Sequence, residues 1–328
     1  MKNHISLFIF AIALLSGPVS ANDLSMTAVK DTLASIPGEH NYIYVRTPLG
    51  EDEEKNYDEI TFYDGLGREL DFAQSYGADR AGAIMAHHHL IEYDSLGRKE
   101  KQWLSTNTSF SYMSPEDLKG GVLWDYHDAG KRSYLQTNYE SSPLNRITEQ
   151  YGVGDAWGDH PARMEYLTNI PADSFRCSFY FIDDNDSLIR RGDYRSGELQ
   201  VTKATDEDGK PTYTFVDKQG RTLLTRLGRG NQQADTYFVF DRFGRIRYVL
   251  PPMINDEISA GNLDLYAYQY LYDSFGRCIS KKLPGCAAIG YVYDKADRVI
   301  LSQNGNQSQK KEWTFTFYDN QGLSLIHI

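Results

Sequence analysis

Along most of the chain, aromatic or branched apolar residues alternate with polar ones in short runs, and each run stops at an aspartate. Examples are Phe62-Tyr63-Asp64, Tyr268, Tyr270 and Tyr272 before Asp273, and Tyr291 and Tyr293 before Asp294. Alternation at a period of two predicts strands, each with an aromatic stripe on one face that the pattern expects to be buried. After each aspartate come two variable residues and then Gly-Arg. The full copies are Asp64, Gly67, Arg68; Asp94, Gly97, Arg98; Asp217, Gly220, Arg221; Asp241, Gly244, Arg245; and Asp273, Gly276, Arg277. Degenerate copies keep the offsets at Tyr126, His127, Gly130, Lys131; at Asp206, Gly209, Lys210; at Tyr293, Asp294, Asp297, Arg298; and at Tyr318, Asp319, Gly322.

The residue types suit a hairpin corner. An aspartate ending a strand accepts hydrogen bonds from turn amides, and a glycine three residues on supplies the left-handed backbone of a short loop with a bulge. Asp297 in the glycine position fits, since aspartate tolerates that region better than most residues. The arginine opens the return strand and can reach back to a carboxylate or lie over a ring. A phrase repeated this often reads as architecture before it reads as chemistry. The spacing holds two strands and two turns per repeat, with no room for the crossover helices of a parallel α/β fold. The predicted fold is therefore all-β: antiparallel hairpin repeats joined side by side into a sheet. Helix is expected only over Met26–Ser35 and as a turn around Pro115–Lys119.

The middle, from Ser141 to Leu199, is less regular. It holds the turn Pro143-Leu144-Asn145-Arg146, a Gly- and Trp-bearing loop from Gly152 to Pro161, and the acidic turn Asp183–Asp186. The division this suggests is a short linker or helix over 22–40, an N-terminal domain with degenerate repeats over 41–170, and regular repeats over 171–322. At the N-terminus, Lys2, the apolar run Leu7–Leu15, Gly17-Pro18 and the small residues up to Ala21 read as a cleavable signal peptide over 1–21. No other stretch nears the roughly 18 apolar residues of a membrane helix, so no membrane span is expected after cleavage, and the protein is expected at the cell surface or secreted. The last residues, Leu323–Ile328, read like a translated sequencing-library transposon end, which suggests an artefactual tail over 323–328 on a truncated fragment.

Composition narrows the partners. With 45 Asp plus Glu against 34 Lys plus Arg, the chain carries a net charge of −11, and its arginines are dispersed among turns, which argues against nucleic acid. Three cysteines, Cys177, Cys278 and Cys286, are too few for a disulfide framework, although Cys278 and Cys286 could close one short loop.

The five full copies, with Thr205–Lys210, Asp217–Arg221, Tyr248-Val-Leu-Pro-Pro252, Lys282-Leu-Pro-Gly285 and Tyr291–Arg298, resemble the YD-repeat or Rhs family of bacterial proteins. The resemblance covers nearly all of the chain after the signal peptide. The segment from Asn41 to about Asn169 resembles the uncharacterised N-terminal domain that precedes such repeats. The resemblance implies a sheet that spirals into a hollow shell, which in that family encloses a C-terminal segment, often a toxin. It implies a non-catalytic wall segment without a cofactor, whose partner is a C-terminal toxin or effector of the full-length chain. No counterpart is found of the motif that cleaves the cargo free in that family. A cell-surface adhesion or carbohydrate-binding protein is the alternative, and an exported glycan-active enzyme the third reading.

Four features could carry chemistry. His87-His88-His89 could place at most two rings on one face of a strand and lacks further ligands, so it is expected to be an exposed loop titrating in solvent. The repeated aspartates could be read as paired catalytic carboxylates, but one turn role explains all of them together. The acidic clusters Glu51–Glu54 and Asp183–Asp186 are expected to be solvated turns rather than ion sites. Among the aromatics, Trp157, between Gly154 and Gly158, is the candidate for surface recognition.

Overall fold

The structure is a computed structural model that describes residues 33, 36, 38, 40–48, 56–78, 84–127, 130–228, 233–254 and 257–327. The signal peptide expected over 1–21, the acidic cluster 51–54 and, apart from Leu33, the helix expected over 26–35 lie outside the described residues. The chain divides into two compact units, 1–162 and 163–328.

In the first unit, strands β1 (Asn41–Pro48), β2 (Asn56–Tyr63), β3 (Glu69–Ala78) and β4 (Ile84–Tyr93) form an antiparallel meander. The long β4 then serves two partners. Its first half pairs with β6 (Thr106–Ser109) and its second half with β5 (Lys99–Trp103). Next, β5 pairs with β7 (Tyr134–Tyr139), and β7 with β8 (Ile147–Tyr151). Between β6 and β7 lies a helix, α1 (Pro115–Asp125), capped by Ser114, whose hydroxyl accepts the Asp117 amide. The sequence suggests only one turn here, because Gly120-Gly121 disfavours helix. Gly121 is instead a close approach, since a Cβ there would sit 2.7 Å from Thr106 Oγ1. The core is Ile60, Phe62, Ala73, Ala86 and Phe110.

In the second unit, β9 (Ala162–Thr168) pairs with β12 (Gln200–Thr205). A separate hairpin, β10 (Ser178–Ile182) and β11 (Leu188–Asp193), is inserted between them. From β12 the sheet runs by antiparallel neighbours through β13 (Pro211–Val216), β14 (Thr222–Leu227), β15 (Ala234–Phe240) and β16 (Ile246–Leu250). It continues through β17 (Tyr268–Tyr272), β18 (Cys278–Lys282), β19 (Ile289–Tyr293), β20 (Val299–Gln303) and β21 (Thr314–Tyr318) to β22 (Ser324–His327). Two short helices absent from the sequence-based expectation, α2 (Ala260–Tyr266) and α3 (Gly305–Lys310), join strands. Each is set by a local cap: Ser259 for α2, and the Asn304/Gln307 capping box for α3. Ser324–His327, expected to be a tail, pairs with Thr316–Tyr318. Ladder bonds are made by the backbone, so an open edge accepts any alternating stretch.

The core of this unit includes Val201, Tyr213, Phe215, Leu224, Tyr237, Val239 and Leu250, with Cys177, Tyr180 and Leu188 added from the hairpin. The expectation that every aromatic stripe is buried fails beyond β16. Tyr268 is 36% and Phe317 49% exposed, and among the described residues of β17–β22 only Thr316 is fully buried. No described element there supplies a second layer comparable to β10–β11. Cys177, Cys278 and Cys286 are free thiols, so the short loop is not closed by a disulfide. No helix among the described residues is long and apolar enough to cross a membrane.

Candidate functional site

Every full copy of the phrase folds into the same corner. The aspartate Oδ1 accepts the amides two and four residues on, from Leu66 and Arg68, Leu96 and Arg98, Gln219 and Arg221, Phe243 and Arg245, and Phe275 and Arg277, at 2.8–2.9 Å. The Oδ2 accepts the Nε of the arginine that closes the turn at 2.6–2.7 Å. The backbone closes the loop as well, with the aspartate amide donating to the arginine carbonyl and the glycine amide to the aspartate carbonyl. The glycines sit at φ of 78° to 87°, the left-handed region that a Cβ disfavours. A register shift in each hairpin marks the bulge. Asp294 repeats the geometry with Asp297 at φ 59° in the glycine role.

The arginine also reaches the neighbouring corner. Arg68 lies 4.5 Å from the Tyr93 ring, Arg98 4.6 Å from Tyr139, Arg221 5.0 Å from Phe240, Arg245 4.8 Å from Tyr272, and Arg277 5.0 Å from Tyr293. The tyrosine returns the contact with its hydroxyl. Tyr93 donates to the Glu69 carbonyl, Tyr139 to Lys99, Tyr272 to Ile246 and Tyr293 to Cys278, at 2.7–3.1 Å. Several guanidinium groups spend Nη1 on the next corner's carbonyl, as Arg98 does on Glu140 and Arg245 on Asp273. The Tyr-Asp, Gly-Arg phrase is thus a two-way link: the Asp and Arg build one corner, and the Arg and the next Tyr tie it to its neighbour. The sequence leaves open whether the arginine pairs with a carboxylate or covers a ring; it does both.

Electrostatics follow from these contacts. Asp64 and Asp294 are held below the usual carboxylate range, chiefly by the amides of Arg68 and Arg298. At Asp94, Asp217, Asp241 and Asp273, burial pushes the other way, and the arginine's amide and side chain outweigh it, so these are lowered too. These carboxylates are ionised acceptors whose two oxygens both accept hydrogen bonds within the corner, which suits them to holding a turn.

Three further corners depart from the full phrase. Glu140, after Tyr139, takes the aspartate's place in a wider turn: its amide donates to the Arg146 carbonyl, and the Arg146 guanidinium grips both carboxylate oxygens at 2.6–2.7 Å. Asn145, at φ 55°, takes the glycine position. Arg146 holds the Glu140 carboxyl down at about 2. At 183–187, Asp183 accepts the Asn185 and Ser187 amides, and Asp186 at φ 64° stands for glycine. The Asp186 carboxylate instead forms a two-pronged pair with Arg247. Among the described residues no cluster of His, Cys, Asp or Glu is arranged to hold a metal ion.

The third corner is completed in trans. His127 stands where the phrase has aspartate, and Asp155, from the Gly- and Trp-bearing loop, accepts the Lys131 and Arg132 amides at 3.2 and 3.1 Å. Gly130 lies so close that a Cβ would fall 2.0 Å from Asp155 Oδ2. Trp157 is in the same loop, 45% exposed, with its ring over Gly152.

The histidine expectation is corrected. His87, His88 and His89 lie within β4, and His88 is 1% exposed. Its Nδ1 meets Asp71 Oδ2 at 2.6 Å and its Nε2 the Ser109 carbonyl at 3.0 Å. The missed signal was parity: Ala86, His88 and Leu90 share the buried face of the strand. Burial lowers the His89 pKa.

Residues 41–168 match the family described as Domain of unknown function (DUF6443). The DUF6443 segment holds the corners at Asp64, Asp94 and Glu140 and the one completed by Asp155, while those from Asp183 onward lie beyond it. No curated protein matches the sequence. The crystal structure of TcdB2-TccC3 is similar over 87% of this chain, at 13% identity and a TM-score of 0.55. That of TcdB2-TccC3-Cdc42 is similar over 87% at 14% identity and a TM-score of 0.56. A Photorhabdus luminescens Tc holotoxin pore carrying a TccC3 mutation is similar over 88% at 12% identity and a TM-score of 0.55. The chain spans 13% of the length of each of these chains. At such identities the likeness is one of fold: an open antiparallel sheet of hairpins with few helices.

Proposed function

We propose that this chain is a non-catalytic wall segment of an exported Rhs-type YD-repeat protein, whose full-length parent encloses or presents a C-terminal toxin or effector. The observation that carries this reading is the corner-to-corner link. Each repeated carboxylate is consumed by two amides and its own arginine, and each arginine by the next repeat's ring, so the groups that looked most chemical serve assembly. The shared fold with TcdB2-TccC3 and the DUF6443 match support it, as does the sequence signal for export.

Limited proteolysis of the full-length parent tests the proposal. A C-terminal segment protected while the repeats are intact, and digested once a corner aspartate is replaced, supports enclosure. Equal digestion in both rejects it. Turnover of a glycan substrate that is lost on replacing one aspartate with no loss of stability would instead establish the enzyme reading.

A further inference from the structure

Hairpin β10–β11 stands over the corners at 217–221 and 241–245. It is held by the Asp186–Arg247 pair, by Tyr180 against Tyr237 with ring centroids 4.9 Å apart, and by Tyr237 Oη accepting the Ser178 amide. Beneath and beside it lie three adjoining cavities of about 270, 530 and 390 Å³, all lined by Asp241 and Arg242. The first brings in Phe179, Phe181 and Tyr194 from the hairpin side. Phe179 stacks on Phe181 at 5.6 Å and 22°, and meets Tyr194 edge-on at 4.8 Å. The other two include Phe243, which is 67% exposed.

Charge within this cleft is almost fully paired. Arg221 is spent on Asp217, Arg245 on Asp241 and Arg247 on Asp186. Arg242 differs: it is exposed, lies 4.9 Å from the Phe243 ring, as Arg245 does, and forms no ion pair among the described residues. The turn amides of 219, 221, 243 and 245 are consumed by their own aspartates, so what the corners offer a ligand is ring faces and one guanidinium.

We propose that this cleft binds an acidic saccharide, with its carboxylate on Arg242 and a sugar face against Phe243. Aromatic faces pack on the C–H face of a sugar ring, and a guanidinium matches a carboxylate in a two-pronged geometry. A single free cation with Asp184 exposed at the rim suits one negative charge per sugar and disfavours a polyphosphate or a densely acidic peptide. This proposal does not rest on the shell reading.

Calorimetric titration of the full chain tests it, using uronate and sialyl oligosaccharides, neutral oligosaccharides of equal length, and polyglutamate. Saturable binding is expected for at least one acidic saccharide, at least tenfold weaker for its neutral counterpart. Arg242→Gln should weaken it at least tenfold and Phe243→Ala several-fold, with melting temperatures unchanged because both side chains are exposed. The proposal is overturned by no saturable binding across the acidic panel at millimolar concentration, by binding unaffected in Arg242→Gln, or by polyglutamate competing on equal terms.

Discussion

Replacing Asp241 by alanine puts the corner geometry under direct strain. The residue is 8% exposed; its Oδ1 takes two amides at 2.9 Å and its Oδ2 the Arg245 Nε at 2.7 Å. The substitution strands two turn amides and leaves a guanidinium without its carboxylate. At about 1 kcal/mol net for each amide bond and ~1–2 kcal/mol for the charge-assisted arginine contact, the sum is about 3–4 kcal/mol. Water reaching the open corner and solvent screening of the part-exposed Arg245 reduce this to about 2–3 kcal/mol. In a cooperative unit of this size that lowers the melting temperature by roughly 5–10 °C, read by calorimetry or circular dichroism. Asp208→Ala is the control: Asp208 sits in an exposed turn and pairs only with exposed Lys210, so it should melt like the parent. An Asp241→Ala variant that melts with the control would refute the structural role of the carboxylate.

Other perturbations test separate contacts. Asp155→Ala or Gly130→Ala should release the 152–158 loop, speeding amide exchange at Lys131 and Arg132 and shifting Trp157 fluorescence; unchanged exchange would count against completion of the corner in trans. His88→Leu leaves the buried Asp71 carboxyl facing an apolar side chain and should cost about 3 kcal/mol, with part recovered in the double replacement of His88 and Asp71 by leucine; no recovery would argue against the pair. Glu140, held at about 2 when folded, gains a proton in the unfolded chain at higher pH, so its contribution is complete above the usual glutamate value near 4.5 and is lost as pH falls toward 2. Glu140→Gln should therefore flatten the acid limb of the stability profile, and an unchanged limb would remove Arg146 as its cause. Hydrogen exchange in β22 should be faster than in β15, because β22 has a ladder partner on one side only among the described residues; equal protection would contradict that.

What the sequence shows well is whatever is local. The corners at Asp64, Asp94, Asp217, Asp241 and Asp273 are legible because each is built within five residues, and Asp297 could be placed because only a few residue types tolerate its backbone. The corner at Glu140 was hidden by its longer turn, although Tyr139 before it and Asn145-Arg146 after it carried the pattern. At His127 the corner is legible from Gly130-Lys131, whereas the carboxylate that completes it, Asp155, comes from another loop and is invisible to any local reading. His88 was misread because three adjacent histidines look like a polar loop, whereas strand parity hides one of them and pairs it with Asp71. Uniform burial of the aromatic stripes does not follow from alternation, which shows which face a ring shares with its neighbours and says nothing of whether a second layer covers it. Tyr272 and Tyr293 are covered in part by an arginine instead.

The most direct test of the corner assignment is amide hydrogen exchange at the arginines that close the turns, Arg68, Arg98, Arg221, Arg245, Arg277 and Arg298. Each amide donates to an aspartate carboxylate at 2.9 Å although it lies in an exposed hairpin end. Protection comparable to the adjoining strands is expected at all six, falling at Arg245 alone in Asp241→Ala; exchange at the rate of an unstructured loop would contradict the structural role of the repeated aspartates.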